Sequence, residues 1–192
     1  YIYGISWLAR SLARQGRLVE AEIEARRALN AALGHAGNKS AVTARTVGVL
    51  GEILLTQGRV KDSEKLARTR VRIYEDVGAS HDSLLMGEAI KLWGQTAVAR
   101  YDFTEAMKRF DLAKENLLDN RYAYRKYLAH DSDVILCLLK TKRVDEALKS
   151  INSVYIEYEQ FFGKSSYTSA EKLNLRGKAN TMMGRRQKAR ND

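Results

Sequence analysis

The chain has 192 residues, 45% of them hydrophobic and 29% charged, a balance that excludes an intrinsically disordered chain. No run of residues approaches the roughly 20 apolar positions that a membrane-spanning helix requires, so we expect no membrane insertion. Lysine and arginine total 33 against 23 aspartates and glutamates, which gives a formal net charge of +10. There is no proline, and this absence favours long helices joined by glycine and polar turns over a loop-rich β fold.

Cysteine usage and the two chain ends give weaker indications. A single cysteine, Cys137, cannot build a disulfide framework or a cysteine-based zinc site, which favours a reducing cytoplasm. The first eight residues lack the charged region and cleavage site of a signal peptide. The last residues stop within a helical pattern, so we expect a fragment of a longer chain.

One pattern recurs along the whole sequence. It occupies residues 8–22, 50–64 and 93–107, more faintly 134–148, and in broken form 176–189. A small residue marks the same place in each copy: Ala21, Ser63, Ala106, Ala147 and Ala189. The successive spacings of 42, 43, 41 and 42 residues indicate an internal structural repeat.

Each repeat is predicted to be a helical hairpin. An apolar run with helical periodicity ends at a turn, and a second helical run follows within about two residues. The turns are centred on Gly16, Gly58, Tyr101, Lys142 and Gly184. We expect the small residue to lie early in the second helix, where the two helices approach closely. Polar connections at 34–40, 78–83 and 163–166 are predicted to separate the hairpins, whereas the aromatic and basic segment 118–127 leaves the third boundary least defined.

A single hairpin cannot bury both of its apolar stripes, so the hairpins must stack. The predicted fold is all-α, a right-handed superhelical α-solenoid of antiparallel helical hairpins. We expect one array over 1–192, with repeats at 2–38, 39–81, 82–120 and 121–165 and a partial repeat at 166–192. A coiled coil is excluded because no heptad pattern persists across the turns.

At these residues the chain resembles the tetratricopeptide repeat (TPR) family. The first unit matches the family pattern at Leu8-Ala9, Leu12, Gly16, Leu18, Ala21 and Ala28-Leu29, and the third at Trp93-Gly94, Ala97, Phe103, Ala106, Phe110 and Ala113. The period near 42 exceeds the usual 34 and is similar to the kinesin light chain subtype of bacterial TPR–CHAT and related signalling proteins. The resemblance implies a protein or peptide recognition segment of a larger multidomain bacterial protein. It also leaves open a sensor that controls an attached catalytic domain.

The sequence contains no pattern typical of a catalytic or metal-binding site, and we expect no enzyme activity, no cofactor and no metal site. Cys137 lies in an all-apolar stretch typical of a buried structural thiol. His35, His81 and His130 fall in different units without the spacing of metal ligands on a helix. The paired carboxylates lie on helix faces where nothing would raise a pKa.

The resemblance implies a partner-binding groove, because the first helices of such arrays line the concave surface. The candidate groove residues are Tyr3, Trp7, Arg10, Arg14, Arg45, Glu52, Lys91, Gln95 and Lys140. The first helix is the favoured binding surface because tryptophan and arginine dominate interface energies. An alternative of equal weight has Tyr3 and Trp7 packing against a preceding repeat.

The alternative function is nucleic-acid binding through basic stripes on second helices and loops. Lys65, Arg68 and Arg72 are three, four or seven residues apart and share one helix face. Residues 121–127 interleave basic and aromatic side chains that could stack on bases or wedge between hairpins. A solvated basic face and a packing role for the tyrosines are the simpler interpretations.

Overall fold

The structure of the protein is a computed structural model that describes residues 1–79, 83–117, 128–129, 131–162 and 167–184. The side chains of residues 157–159, 161–162 and 167–169 are not described. Within these ranges the regular structure is helical and contains no strand. The chain divides into two compact units, unit 1 at Tyr1–Asn120 and unit 2 at Arg121–Asp192. The segment 118–127, where the third boundary is predicted, lies outside the described residues.

Unit 1 contains three antiparallel hairpins, one for each of the first three predicted repeats. Its helices are α1 (Ile2–Arg14), α2 (Leu18–Ala36), α3 (Ala41–Thr56), α4 (Val60–Asp76), α5 (Leu84–Ala99) and α6 (Phe103–Glu115). Each second helix packs against its own first helix, and α2 and α4 also pack against the first helix of the next hairpin. Among the first helices, α1 contacts α3 and α3 contacts α5. The hairpins of unit 1 are therefore stacked in register.

Unit 2 contains a fourth hairpin and the first helix of a fifth. Its helices are α7 (Ser132–Lys140), α8 (Val144–Phe162) and α9 (Tyr167–Met182). Helix α8 packs against both α7 and α9, which is the order of contacts found in unit 1. The second helix predicted for the fifth repeat lies outside the described residues.

The five predicted turns all use the left-handed backbone region. The φ angles are +78° at Gly16, +77° at Gly58, +62° at Tyr101, +63° at Lys142 and +72° at Gly184. This conformation ends a helix by turning the chain back within two residues. Glycine adopts it without steric cost, whereas Tyr101 and Lys142 carry a Cβ that disfavours it.

Replacing Lys142 with glycine is expected to raise the free energy of unfolding by up to about 1 kcal/mol. The left-handed conformation costs a residue with a Cβ about 1–2 kcal/mol. The greater flexibility of glycine in the unfolded chain offsets about 0.5–1 kcal/mol of the stability gained by removing that cost. Urea denaturation measures the change. As a control, Lys149→Gly in the exposed interior of α8 should lower stability by about 1 kcal/mol. A loss of stability in both variants would contradict the prediction.

The small residues that mark the repeat are completely buried, as expected. Ala21, Ser63, Ala106 and Ala147 have no exposed surface, while Ala189 lies outside the described residues. The hydroxyl of Ser63 donates a hydrogen bond of 2.8 Å to the carbonyl of Gly51. Serine therefore replaces alanine here without leaving a buried polar group unpaired.

The first inter-hairpin connection is shorter than predicted. Helix α2 continues through Gly34, His35 and Ala36, so the segment 34–40 begins as helix rather than loop. The helix stops at Gly37, whose φ is +73°, and Ser40 then accepts a hydrogen bond from the amide of Thr43 as the N-cap of α3. Residues 34–36 therefore form the last turn of α2, although glycine lowers the helix propensity of this segment.

Candidate functional site

The first helices of unit 1 present a shared surface, which we call the first-helix face. These helices approach one another more closely than the second helices do. Predicted groove residues lie on all three: Tyr3, Arg10 and Arg14 on α1, Arg45 and Glu52 on α3, and Lys91 and Gln95 on α5. The remaining predicted groove residue, Lys140, belongs to unit 2, where it is exposed at the last position of α7.

The repeat spacing arranges these side chains in rows across the helices. Positions separated by 42 and then 43 residues are equivalent, so one row contains Tyr3, Arg45 and Glu88. In this row the guanidinium carbon of Arg45 lies 5.1 Å from the centroid of the Tyr3 ring. A cation over an aromatic face is attractive and holds both side chains in place.

The second row contains Arg10, Glu52 and Gln95. Arg10 donates two hydrogen bonds to the Glu52 carboxylate, Nε to Oε2 at 2.9 Å and Nη2 to Oε1 at 3.0 Å. The two side chains remain 31% and 38% exposed, so the pair adds at most about 1 kcal/mol to stability. Its bidentate geometry instead fixes the orientation of both groups on the surface.

Trp7 is different from the other predicted groove residues. Its equivalents in the second and third repeats are Val49, with no exposed surface, and Leu92, which is 2% exposed. Val49 belongs to a hydrophobic cluster with Ala21 and Ala25 of α2, and Leu92 lies against Gly51 of α3, so both positions face the preceding hairpin. Trp7 itself is 65% exposed. The structure therefore places Trp7 at the position through which a repeat contacts its predecessor.

The predicted basic stripe on α4 is only partly available to a ligand. Lys65, Arg68 and Arg72 are exposed along one side of the helix. The guanidinium carbon of Arg68, however, lies 5.4 Å from the centroid of the Trp93 ring, and that of Arg109 lies 3.6 Å from it. Arg68 thus takes part in the packing of unit 1 as well as presenting charge. Residues 121–127 lie outside the described residues.

A buried arginine beside the first-helix face was not among the residues predicted from the sequence. Arg70 is 2% exposed, and its Nη2 donates to Glu88 Oε2 at 3.2 Å. Its Nε has no hydrogen-bond partner among the described residues. A Cβ at position 48 would lie 2.8 Å from three atoms of the Arg70 side chain, so Gly48 makes room for it.

The repeat alignment contained a signal for this arrangement. The residues equivalent to Arg70 are Ala28 and Ala113, both with no exposed surface. A long charged side chain at a position that is otherwise a buried alanine requires space from a neighbour. The helical glycine Gly48 supplies that space.

Cys137 is buried, as predicted, and its thiol is held in the protonated form. Burial, reinforced by the nearby carboxylates of Asp133 and Asp131, raises the pKa of Cys137 to about 12. A protonated buried thiol is a poor nucleophile. This environment is typical of a structural cysteine.

The Cys137 thiol is expected to be unreactive in the folded protein at pH 8. Ellman's reagent should label it at the rate at which the protein opens, and at a normal rate in denaturant. The raised pKa also means that stability is complete below the ordinary thiol pKa and declines as pH rises from about 9 toward 12. Cys137→Ala should lessen this decline in urea denaturations at pH 8 and 10.5. Rapid native labelling would contradict the prediction.

The described residues contain no group of three histidine, cysteine, aspartate or glutamate side chains that could hold a metal ion. None of the described helices combines the length and apolar character needed to cross a membrane. Of the three histidines, His35 lies in the last turn of α2, while His81 and His130 lie outside the described residues.

Comparison with known proteins identifies the fold. No protein-family model matches the chain, and no curated protein sequence does. A kinesin-light-chain-type protein of Podosopora anserina with nearly identical TPR-like repeats is 13% identical, with a TM-score of 0.72 over 99% of this chain and 90% of that one. BtubC (BKLC) of P. vanneervenii is 16% identical, with a TM-score of 0.68 over 97% of this chain and 74% of that one.

A third solved structure is that of YrrB, a TPR protein with an unusual peptide-binding site. It is 16% identical, with a TM-score of 0.53 over 96% of this chain and 79% of that one. At these identities the likeness concerns fold alone. The prediction of an all-α, TPR-like repeat fold is confirmed.

Proposed function

We propose that this chain is a recognition segment that binds a protein or peptide on the first-helix face of unit 1. YrrB, which shares the fold, has a peptide-binding site. We further propose that the segment has a regulatory or sensor role in a larger bacterial multidomain protein of the cytoplasm. It would carry out no catalysis itself.

The observation that supports this proposal is the ordering of exposed side chains between repeats. Arg45 is stacked over Tyr3, and Arg10 is held by two hydrogen bonds to Glu52, although all four side chains lie at the surface. Side chains that are already fixed lose little conformational entropy when a ligand binds. A ligand would therefore meet a surface that is organised before contact.

The charge of this face indicates the kind of ligand. Four basic side chains stand against two acidic ones: Arg10, Arg14, Arg45 and Lys91 against Glu52 and Glu88. Arg10 is paired with Glu52, and Arg14 is exposed at the end of α1. We propose a ligand with acidic groups, which the remaining positive charge would attract and orient.

A capture experiment with matched variants tests the proposal. The protein is immobilised and exposed to a lysate of its source organism, with and without nuclease, and retained proteins are identified by mass spectrometry. We expect specific proteins to be retained by the wild type and by Lys61→Ala, an exposed change on α4, and to be lost from the double variant Tyr3→Ala/Arg14→Glu. Retention that is equal for all three proteins would contradict the proposal.

The nuclease comparison decides the alternative of nucleic-acid binding. Lys65 and Arg72 remain exposed, so a basic surface on α4 is present. If it carries the function, retention vanishes with nuclease and affinity falls steeply with salt, because each neutralised phosphate releases counterions. That result would favour nucleic-acid binding and contradict the proposal that the first-helix face binds a protein or peptide.

A further inference from the structure

A third row of equivalent positions crosses the first-helix face between the two rows already described. It contains Ser6, Gly48 and Lys91, which follow the first row by three residues and precede the second by four. Ser6 is 4% exposed, and its hydroxyl donates a hydrogen bond of 3.0 Å to the carbonyl of Ile2. At Gly48 the row has no side chain of its own.

Arg70 of α4 occupies the place of this missing side chain. A Cβ at position 48 would lie 2.8 Å from Cδ, Nε and Cζ of Arg70, so the guanidinium lies where a side chain of α3 would begin. Its Nη2 donates to Oε2 of Glu88, a member of the first row on α5, at 3.2 Å. A second helix therefore contributes a cation to a surface that is otherwise formed by first helices.

Two polar side chains of α4 are buried without full hydrogen bonding. Arg70 is one of them, because its Nε has no partner among the described residues. Tyr74, one turn further along the helix, has no exposed surface, and its hydroxyl also has no described partner. The guanidinium carbon of Arg70 lies 5.7 Å from the centroid of the Tyr74 ring. Such a combination is rare in folded proteins and indicates that a binding group belongs beside α4.

The observed partner of Arg70 uses the guanidinium incompletely. Arginine binds a carboxylate most strongly through two parallel N–H donors on one edge, as Arg10 binds Glu52 at 2.9 and 3.0 Å. Glu88 accepts from Nη2 of Arg70 at 3.2 Å, whereas Nε on the same edge is left over. Charge-assisted hydrogen bonds are usually about 2.7–2.9 Å long. The buried arginine is therefore bound less completely than the exposed one.

Glu88 can leave this contact without unfolding the helices. Its side chain is 27% exposed, whereas that of Arg70 is 2% exposed, so rotation of the Glu88 side chain brings its carboxylate into water. Because Glu88 is attached to α5, its carboxylate approaches the guanidinium from one direction and reaches Nη2. A carboxylate that is not attached to α5 can accept from both Nε and Nη2.

We infer that Arg70 is a carboxylate receptor in the first-helix face: a carboxylate of the bound ligand accepts from Nε and Nη2 of Arg70 and takes the place of Glu88. The inference deepens the proposed function and rests on it, because the protein or peptide of that proposal brings the carboxylate. It assigns the specificity for an acidic ligand to one buried residue in addition to the exposed arginines. In the free protein Glu88 keeps the guanidinium paired.

A buried water molecule on Nε is the competing explanation, because buried polar groups without a protein partner commonly bind one. The observation that favours a carboxylate is that the group already bound to this guanidinium is one. Water on Nε predicts no specific response to added carboxylates, so the two explanations differ in a measurable way.

Chemical rescue of Glu88→Ala tests the receptor. This variant removes the carboxylate from Arg70, and sodium formate offers a free one. We expect formate to raise the melting temperature saturably relative to equal sodium chloride, by about 3–6 °C at ten times the dissociation constant. The wild type should respond less because Glu88 occupies the site. The matched control Arg70→Met/Glu88→Ala lacks the guanidinium, and an equal response of this control would overturn the inference.

Glu88→Gln is a second variant, used if Glu88→Ala is too unstable to fold. The glutamine amide oxygen can still accept from Nη2, while the negative charge is absent. Formate should therefore stabilise this variant as well, by less than it stabilises Glu88→Ala. A folded variant at position 88 that responds to formate only as it responds to chloride would overturn the inference.

Two pentapeptides identify the source of the carboxylate. One is acetylated and amidated and carries a single central glutamate, while the other is acetylated, carries glutamine at that place and has a free carboxyl terminus. We expect one of them to stabilise Glu88→Ala more than Arg70→Met/Glu88→Ala, which identifies a side chain or a chain terminus as the source. Stabilisation by formate and by neither peptide would show an adventitious ion only and would overturn the inference.

The capture experiment separates a failure of this inference from a failure of the proposed function. Arg70→Met/Glu88→Ala leaves Tyr3 and Arg14 unchanged, and we expect it to retain at least about tenfold less of the captured proteins than the wild type. Full retention by this variant, with loss from Tyr3→Ala/Arg14→Glu, would overturn the inference and support the proposed function. Formate rescue without any captured protein would support the receptor and contradict the proposed function.

Discussion

Replacement of Glu88 by alanine is expected to lower the free energy of unfolding by about 2–4 kcal/mol. Arg70 is 2% exposed, and its Nη2 donates a hydrogen bond of 3.2 Å to Oε2 of Glu88. Removing one member of a buried pair leaves a charge without compensation, which costs about 3–5 kcal/mol when both members are buried. The Glu88 side chain is 27% exposed, so the expected loss is somewhat smaller. Urea denaturation followed by circular dichroism measures it.

The double variant Arg70→Met/Glu88→Ala distinguishes loss of a pair from loss of packing. An unbranched apolar side chain occupies the space beside Gly48 without a charge, so most of the lost stability should return. Glu52→Ala breaks the exposed pair with Arg10 and should cost less than about 1 kcal/mol. Equal losses for Glu52→Ala and Glu88→Ala would show that Arg70 is not held as the structure indicates.

Replacement of Gly94 by alanine is expected to cost about 1–3 kcal/mol, although alanine is the better helix former. A Cβ at this position would lie 2.6 Å from Cε1 and 2.8 Å from Cδ1 of Phe110. Phe110 is 1% exposed, so in a close-packed interior its ring can move only by displacing its neighbours. Close approach of α5 and α6 therefore requires glycine here.

Two further variants serve as a control and as a rescue for this prediction. Gly4→Ala introduces the same methyl group on α1, where nothing lies within 4 Å, and should leave stability unchanged or raise it by up to about 1 kcal/mol. Adding Phe110→Leu to Gly94→Ala should recover part of the loss, because the branched side chain avoids the new methyl group. A stabilising Gly94→Ala would contradict the contact between Gly94 and Phe110.

The sequence by itself determined the features that depend on near neighbours. Helical periodicity and the five turns follow from interactions within a few positions along the chain. Repetition at about 42 residues made these features, and the small residue after each turn, visible several times. The second helix of the fifth repeat remains a prediction. So do the single array and the identity of the binding residues.

Only the tertiary structure decided which polar and aromatic side chains are exposed. Arg70 and Arg68 are basic residues of the same helix, yet one is buried beside Gly48 and the other is exposed over Trp93. Trp7 and Val49 occupy equivalent positions, yet only Val49 is covered, by α2. Burial depends on side chains that lie tens of residues away in the chain, and helical periodicity carries no information about what those side chains leave open.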